Sequence, residues 1–286
     1  MDLAICVRNL PAREVADVGR FAEDHGFAEV YVPDSARGGA TDAAGRLIGR
    51  DAFVALGAMF AATTRVRGTV GVAAMPMHHP VVLASVASTL HEMSDGRFGL
   101  GLGVSHPEQT ARFGLPFPDR PVEAMRGWLR ELRTFSADGV AHGAGWPVLV
   151  AALGPRMVEL GATEADGLIL NWSTPEQAAA SVAQVRAASE GRPTPRIALY
   201  LRLMSADALH QDAVRYDAMG NYHRHFVAQG LETPEQIVAG TTLPRDDLGA
   251  ARARLEAYRA AGIDVACIYP AGQDEEDRRA LEALTR

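Results

Sequence analysis

The chain has 286 residues, of which 48% are hydrophobic and 22% are charged, and its formal net charge at pH 7 is −7. This composition is typical of a globular protein with a sizeable core, and the acidic surplus argues against a nucleic-acid or anionic-membrane partner. All 28 basic residues are arginine, because the sequence contains no lysine. Schiff-base chemistry on lysine is therefore excluded, and any phosphate must be held by arginine, hydroxyl groups or backbone N–H groups.

Short apolar runs alternate with stretches of helical periodicity along the chain. The predicted strands are 3–7, 29–32, 66–72, a glycine-rich strand within 96–106, 147–152, 166–170, 196–203 and 265–269. The predicted helices are 11–25, 51–63, 80–93, 122–137, a short helix from 154, 174–189, 206–228 and 247–261. Residues 105–121 lack periodicity and contain several prolines, so we expect a long loop there. Eight strands that alternate with helices predict one (β/α)8 TIM barrel that spans residues 1–286 as a single domain.

The sequence also carries information on the cellular compartment. No apolar run reaches the roughly 18 residues that a membrane span requires, and the N-terminus lacks the pattern of a signal peptide. Cys6 and Cys267 fit a reducing compartment and have no metal-site spacing. Because closure of the barrel brings the last strand beside the first, we expect both cysteines to be small core residues. A cytoplasmic protein without a metal site is the expectation.

The glycine-rich strand is the most informative stretch of the sequence. Gly99, Gly101 and Gly103 alternate, so they face one side of the strand, and their missing side chains indicate a bulky neighbour close to the backbone. Tight packing of protein against protein is the alternative explanation. Ser105 and His106 follow where the strand opens into a loop, at the end of a parallel strand where ligands bind. A P-loop and a dinucleotide fingerprint are both excluded by the position of the glycines and the absence of lysine.

Four stretches occur in the order found in one protein family. They are Met-His-His-Pro at 77–80, Arg-Phe-Gly-Leu-Gly-Leu-Gly-Val-Ser at 97–105, Val-Ala-Ala-Leu-Gly-Pro-Arg-Met at 150–157 and Ala-Asp-Gly-Leu-Ile-Leu-Asn at 165–171. Together they resemble the luciferase-like flavin and deazaflavin oxidoreductases, and the sequence is most similar to the actinobacterial branch that uses coenzyme F420, a 5-deazaflavin. The resemblance implies a luciferase-like barrel, F420 with FMN as the alternative cofactor, and a homodimer.

The resemblance also implies which residues contact the cofactor. It places a non-prolyl cis peptide at Val70-Gly71 behind the ring, with a simple bulge at Gly71 as the alternative. It places Asp34 beside the ring, although a turn or helix-cap aspartate is also consistent with the sequence. The remaining implied contacts are Gly103, Val104, Ser105, Ala152, Leu153, Gly154, Pro155 and Arg156. Leu153 to Pro155 would receive the cofactor's phosphate at a helix start, with Arg156 as counter-ion, unless they simply turn the chain into the helix.

The sequence departs from the sugar-phosphate dehydrogenases of this family at two positions. Those enzymes carry a histidine where this chain has Ser35 and a glutamate where it has His106. Their acid/base pair is therefore absent, and their substrate is not transferred to this chain. His106 and Asp34 become the catalytic candidates, His106 because an imidazole titrates near neutral pH. A ring that only packs on the cofactor is the alternative for His106.

The sequence contains further histidines and tyrosines, before the helix at 80–93 and after the seventh strand. Packing and capping are expected of His78 and His79, which precede a helix start. Tyr222, His223 and His225, with Asn221 beside them, either line a substrate pocket or lie on a solvated helix face.

The predicted function is an F420-dependent oxidoreductase that transfers a hydride between the deazaflavin C5 and a small organic substrate. The alternative is an FMN-dependent monooxygenase that receives reduced flavin from a partner reductase. A third hypothesis is a binding or regulatory barrel without a cofactor, which the intact glycine strand and Asp34 disfavour.

Overall fold

Nine parallel strands organise the protein, for which a computed structural model describes residues 1–7, 10–34, 51–137, 145–271 and 275–286. The strands are β1 (Asp2–Val7), β2 (Glu29–Val32), β3 (Arg67–Ala74), β4 (Phe98–Gly103), β5 (Val148–Ala151), β6 (Gly167–Asn171), β7 (Arg196–Met204), β8 (Leu243–Pro244) and β9 (Val265–Ala271). Each of β1 to β7 pairs with the next strand, β7 pairs with β9, and β9 closes on β1. The two-residue β8 only extends the end of β7. The predicted (β/α)8 TIM barrel is confirmed.

Helices follow the strands and cover the outside of the barrel. They are α1 (Ala12–Asp24), α2 (Ala52–Ala61), α3 (Pro80–Met93), α4 (Pro107–Arg112), α5 (Pro121–Ala137), α6 (Pro155–Glu164), α7 (Pro175–Ala188), α8 (Ala206–Asp217), α9 (Gly220–Val227), α10 (Pro234–Thr241), α11 (Leu248–Ala261) and α12 (Glu275–Leu284). None of the helices in the described part of the chain is long and apolar enough to cross a membrane.

Two predicted segments differ from the structure. The expected loop 105–121 contains the short helix α4, because Pro107 occupies the first helical position, where its missing N–H costs nothing. The expected helix 206–228 is two helices, α8 and α9. Met219 is extended at φ −92° and ψ 119° between them, and Gly220, a poor helix former, begins α9. The break turns α9 back toward the end of the barrel.

The barrel interior is filled by a cluster of side chains from alternate positions on the strands. Its members are Ala4, Cys6, Tyr31, Leu149, Ile169, Ala198, Tyr200, Val265, Cys267 and Tyr269. Tyr200 is the centre of this cluster, because its ring stacks on Tyr269 at 5.7 Å and meets the edge of Tyr31 at 5.9 Å. Both cysteines are free and fully buried, as expected for small core residues.

The glycines of β4 make room for protein. A Cβ at Gly101 would lie 2.5 Å from the Val70 carbonyl oxygen, and a Cβ at Gly103 would lie 2.7 Å from a methyl group of Val72. Gly99 faces Thr69 in the same way. The bulky neighbour predicted from the sequence is therefore strand β3, which agrees with the packing explanation.

Charged residues close the N-terminal end of the barrel. Arg196 donates to the buried carboxylate of Glu29 at 2.8 Å, and Thr69 donates to the same carboxylate. Asp2 accepts from Arg196 at 3.0 Å and from Arg67 at 3.4 Å. This network lies at the end opposite to the ligand-binding loops of the fold, so it belongs to stability.

Candidate active site

The predicted site residues follow four consecutive strands at the C-terminal end of the barrel. Asp34 follows β2, Gly71 and Val72 lie in the second half of β3, His106 follows β4, and the segment 152–156 follows β5. The pairing of Val32 with Val70, of Ala74 with Gly103 and of Leu102 with Val150 places these strand ends side by side. Sequence positions that are up to 122 residues apart, from 34 to 156, thus meet at one edge of the barrel.

Asp34 is held by a histidine that the sequence did not single out for chemistry. Its carboxylate lies 2.6 Å from His78 Nε2, and only 8% of the Asp34 side chain is exposed. His78 also meets the edge of the Phe53 ring at 5.8 Å. Packing therefore describes only part of the role of His78, whereas His79 does cap α3 by accepting from the Val81 N–H at 3.3 Å. Ser35 lies outside the described residues.

The non-prolyl cis peptide is present one residue later than predicted. It joins Gly71 to Val72 and not Val70 to Gly71. The pairing of β3 with β4 shifts register between Val70 and Ala73, which marks the same irregularity. Tyr200 donates its hydroxyl to the Gly71 carbonyl at 2.5 Å, and a Cβ at Gly71 would lie 2.8 Å from the Tyr31 ring. The two tyrosines leave room for glycine only, so they fix where β3 deviates from regular strand geometry.

The segment after β4 presents an unpartnered hydroxyl group. Ser105 is in the left-handed region at φ 68°, which is unusual for a residue other than glycine. Its Oγ is buried and has no hydrogen-bond partner among the described residues. Val104, immediately before it, packs against the hydrophobic core. A buried polar atom without a partner at the ligand-binding end of a barrel indicates a place for a ligand.

His106 is enclosed by α9. Its Nδ1 lies 3.2 Å from Asn221 Nδ2, and its ring lies 5.5 Å from the Tyr222 ring. Burial lowers the pKa of His106 below its ordinary value, against weaker raising influences from Glu108 and from the hydrogen bond to Asn221. The imidazole is therefore neutral at pH 7.

A polar network behind His106 connects α9 to the barrel wall. Tyr222 accepts from Asn171 at 2.9 Å, and Asn171 accepts from Arg202 at 2.8 Å. Arg202 is 1% exposed, pairs with Asp212 at 3.2 Å and lies 3.6 Å from the centre of the Trp172 ring. Burial raises the pKa of Tyr222, which keeps its hydroxyl protonated. The network fixes Tyr222, and with it the wall against which His106 packs.

The start of α6 is open to solvent. Gly154 precedes the helix in an extended conformation, and a Cβ built on it would meet nothing within 4 Å. Pro155 and Arg156 are exposed, while Ala152 is buried and donates to the Ile169 carbonyl at 3.1 Å. Leu153 packs beside Trp172. First-turn N–H groups and the helix dipole favour an anion at such a place.

The remaining histidines of α9 differ in their surroundings. His223 is exposed and pairs with Asp217 at 2.9 Å, which agrees with a solvated helix face. His225 is buried, and its Nε2 donates to the Trp172 carbonyl at 2.9 Å. His225 therefore anchors α9 to the loop after β6.

Several of these contributors could not be recognised from the sequence. Tyr200, Arg202 and Asn171 occupy inward or terminal strand positions, but alternation alone does not tell a pocket residue from a core residue. For Asn171, its position at the end of a predicted strand, beside Trp172, could have indicated a site residue. Among the described residues, no group of three or more His, Cys, Asp or Glu is placed to hold a metal ion.

A family model described as luciferase-like monooxygenase matches residues 6–285. The chain belongs to this family. The predicted luciferase-like membership is thereby confirmed, and the chain is placed among oxidoreductases.

Curated relatives of this luciferase-like chain match it over part of their length. A Mycobacterium tuberculosis protein described as uncharacterised is 32% identical over 171 residues, 49% of this chain and 60% of that protein. A 5,10-methylenetetrahydromethanopterin reductase from Methanolobus tindarius is 25% identical over 63% of this chain and 56% of the reductase. An F420-dependent glucose-6-phosphate dehydrogenase from Nakamurella multipartita is 28% identical over 54% of this chain and 51% of the dehydrogenase. The chain thus spans about half to three fifths of each of these relatives.

Solved structures of this fold match nearly the whole luciferase-like chain. An F420-dependent secondary alcohol dehydrogenase in complex with an F420-acetone adduct has a TM-score of 0.81 at 15% identity and covers 99% of this chain and 97% of its own. The F420-dependent tetrahydromethanopterin reductase of Methanopyrus kandleri has a TM-score of 0.73 at 18% identity, with 100% and 97% coverage. A monooxygenase from Streptomyces bottropensis has a TM-score of 0.70 at 19% identity, with 100% and 98% coverage. At these identities the likeness shows the fold.

Proposed function

We propose that this chain is an F420-dependent oxidoreductase that transfers a hydride between the deazaflavin C5 and a small organic substrate. The observation that carries the proposal is the meeting of Asp34, the irregular end of β3, Ser105 and the start of α6 at the ends of four neighbouring strands. Relatives and structural neighbours that are named as F420-dependent support the choice of cofactor.

The residues present fit such a cofactor. Ser105 Oγ is a buried polar atom without a described partner, which a ring edge with donors and acceptors would satisfy. The open space at Gly154 and the exposed guanidinium of Arg156 suit an anionic tail. The ring would be held by Asp34, Gly71, Val104 and Ser105, and the phosphate by Leu153, Gly154, Pro155 and Arg156. Val70, Gly103 and Ala152 are buried and would support these residues from behind. When bound, F420 supplies a carbon centre that exchanges two electrons as a hydride.

Two groups at this end of the barrel hold protons. His106 is the proposed proton-transfer group, because its ring is half-buried at the head of α4, at the ligand-binding end of the barrel, and as a neutral imidazole it presents an N–H to the substrate. Asp34 and His78 form the second group, joined at 2.6 Å. The enclosing wall of Tyr222 and Asn221 limits the access of water to His106.

The choice of cofactor is tested by fluorescence titration of the purified protein with F420 and, in parallel, with FMN. We expect tight binding of F420 only, turnover without oxygen, and deuterium from C5-labelled F420 in the product. Binding of reduced FMN with an oxygen atom from O2 in the product would instead establish the monooxygenase alternative. That alternative is supported by the full-length similarity to a Streptomyces monooxygenase.

The role of His106 is tested by substitution. A positioned acid–base group contributes about 10²–10⁴ in rate, so His106→Ala lowers turnover by that factor and leaves F420 affinity within a few-fold. His210→Ala is the matched control, because His210 is half-exposed on α8 and pairs with Glu235 at 3.4 Å. Full activity of the His106 variant would transfer the role to Asp34 with His78.

The quaternary and cellular context belongs to the same proposal. We expect a single-domain homodimer in the cytoplasm, with a small-molecule substrate and, for the monooxygenase alternative, a partner flavin reductase. Light scattering on the purified protein measures the oligomeric state directly.

A further inference from the structure

His106 has one nitrogen that is engaged and one that is not. Its Nδ1 lies 3.2 Å from the carboxamide Nδ2 of Asn221. Its Nε2 has no hydrogen bond within the described part of the chain, and it is not among the buried polar atoms without partners. The ring is therefore held on its Nδ1 side, and no residue that the structure describes engages its Nε2 side.

An amide nitrogen can only donate, so the pairing constrains the imidazole. A donor at 3.2 Å requires an unprotonated Nδ1, and a neutral imidazole then carries its proton on Nε2. The groups that face the ring are Glu108 on α4 and Asn221 and Tyr222 on α9, and burial lowers the pKa of His106 by more than Glu108 and the hydrogen bond to Asn221 raise it. The ring is thus neutral and not an imidazolium at pH 7.

The position of Asn221 is itself fixed by its neighbours on α9. Tyr222 accepts from Asn171 at 2.9 Å, and His225 donates to the Trp172 carbonyl at 2.9 Å. These two contacts tie consecutive turns of α9 to the end of β6. A carboxamide on a helix anchored in this way has a defined distance to the imidazole.

We propose that Asn221 is a positioning residue that holds His106 as the neutral Nε2–H tautomer, so that the free nitrogen acts as a hydrogen-bond donor to a substrate oxygen or nitrogen. This inference rests on the proposed function, and it names the substrate class as a compound whose reducible bond ends in a hydrogen-bond acceptor, an oxygen or a nitrogen. Asn221 Oδ1 is buried without a described partner, so it remains available to a donor group on the same ligand.

The experiment is a pH titration of the histidine rings by NMR on protein labelled with ¹⁵N-histidine, with His106→Gln to assign the signals. In the wild type at pH 7 we expect His106 to show one protonated nitrogen, Nε2, and one unprotonated nitrogen, Nδ1. Asn221→Asp places a carboxylate beside Nδ1, which favours the imidazolium and raises the titration midpoint of His106 by about 1–3 pH units. Asn221→Ala removes the preference and gives signals averaged between both tautomers.

The signals of His225 and His223 are the internal controls for α9. Unchanged signals in both variants show that the helix has kept its place. A wild-type ring protonated on Nδ1 overturns the inference, and so does an unshifted midpoint in Asn221→Asp with unchanged His225 signals. The wild-type spectrum decides even if a variant fails to fold.

The same spectra separate this inference from the proposed function, because they need neither cofactor nor substrate. Failure of F420 to bind while His106 carries its proton on Nε2 would refute the function and leave the tautomer assignment standing. If F420 is turned over, a neutral donor predicts that activity falls as the pH drops through the midpoint of His106. Activity that instead rises with falling pH would mean that the imidazolium is the active form, and would overturn the inference.

Discussion

The arginines of this lysine-free chain differ in whether a protein group already pairs with their charge. Arg202 is 1% exposed, pairs with Asp212 and lies over Trp172, so its charge is used inside the fold. Arg156 is exposed at the start of α6 and forms no hydrogen bond or ion pair with its side chain in the described part of the chain. A charge beside a helix N-terminus that no described residue neutralises is available for an anion.

We expect the charge of Arg156 to contribute to the binding of F420. One charge-assisted contact contributes roughly 1.5–3 kcal/mol, so Arg156→Ala weakens F420 binding about ten- to a hundredfold. The affinity of the variant also depends less on salt, because one ionic contact is lost. Fluorescence titration at two ionic strengths measures both effects.

Arg130→Ala is the matched control for this prediction. Arg130 is equally exposed, lies on α5 and is remote from the end of the barrel in sequence and element. Its removal changes the net charge by the same amount without removing a contact at α6. Equal effects of the two substitutions would mean that overall charge, and not Arg156, governs F420 binding.

Among the secondary-structure elements, the contact between strands β3 and β4 determines the shape of the candidate site. Strand β4 lacks side chains where β3 approaches it, and β3 deviates at the Gly71-Val72 peptide, where Tyr200 and Tyr31 leave no space for a Cβ. The glycines of β4 therefore act on the site through β3.

This arrangement predicts a specific coupling between the two strands. A Cβ at Gly103 would lie 2.7 Å from a Val72 methyl group, so Gly103→Ala overpacks the barrel and destabilises it by about 1–3 kcal/mol. Val72→Ala removes that methyl group, so the double variant recovers part of the loss, with a coupling of about 0.5–3 kcal/mol. Urea unfolding of the four proteins in the cycle gives the coupling directly.

Two other glycines serve as comparisons in this experiment. Gly101→Ala meets the Val70 carbonyl oxygen, a backbone atom, so removal of the Val72 methyl group relieves it less. Gly127→Ala lies in open space on α5 and stabilises the helix by about 0.5–1 kcal/mol. A neutral Gly103→Ala would refute the packing account of β4.

The elements themselves were largely predictable, and the exceptions have physical causes. Strand β2 and helix α3 have the predicted bounds, because proline, glycine and periodicity all agree there. Helix α10 was missed, although Thr233 and Gln236 form a capping box that its sequence displays. The pairing of Asp34 with His78 and of His106 with Asn221 could not be predicted, because both depend on the folding of distant loops onto one edge of the barrel.

In the whole molecule, the residues that stabilise the fold and the residues proposed for chemistry lie at opposite ends of the barrel. Glu29, Arg196, Asp2 and Arg67 close the N-terminal end, while the proposed cofactor site, with the exception of Val70 midway along β3, lies in the second half of the strands or after them. Between the two ends, Tyr200, Tyr31 and the two buried cysteines fill the interior. This packed middle layer separates the N-terminal end, which serves stability, from the C-terminal end, where such barrels carry their active sites.

The last prediction tests this separation at the N-terminal end. Glu29 is 3% exposed on its side chain and receives its closest ionic contact from Arg196, so Arg196→Met leaves a buried carboxylate with weaker compensation. Loss of one partner of a buried pair costs up to about 3–5 kcal/mol, measured as the free energy of unfolding in urea. Arg67→Met lowers the free energy of unfolding by less, because Arg67 is 43% exposed and lies 3.7 Å from the same carboxylate.

Glu29→Gln combined with Arg196→Met recovers part of the lost stability, since no buried charge remains unpaired. F420 affinity stays within a few-fold in all three variants wherever they remain folded. A loss of affinity that exceeds the loss of stability would show instead that the two ends of the barrel are coupled.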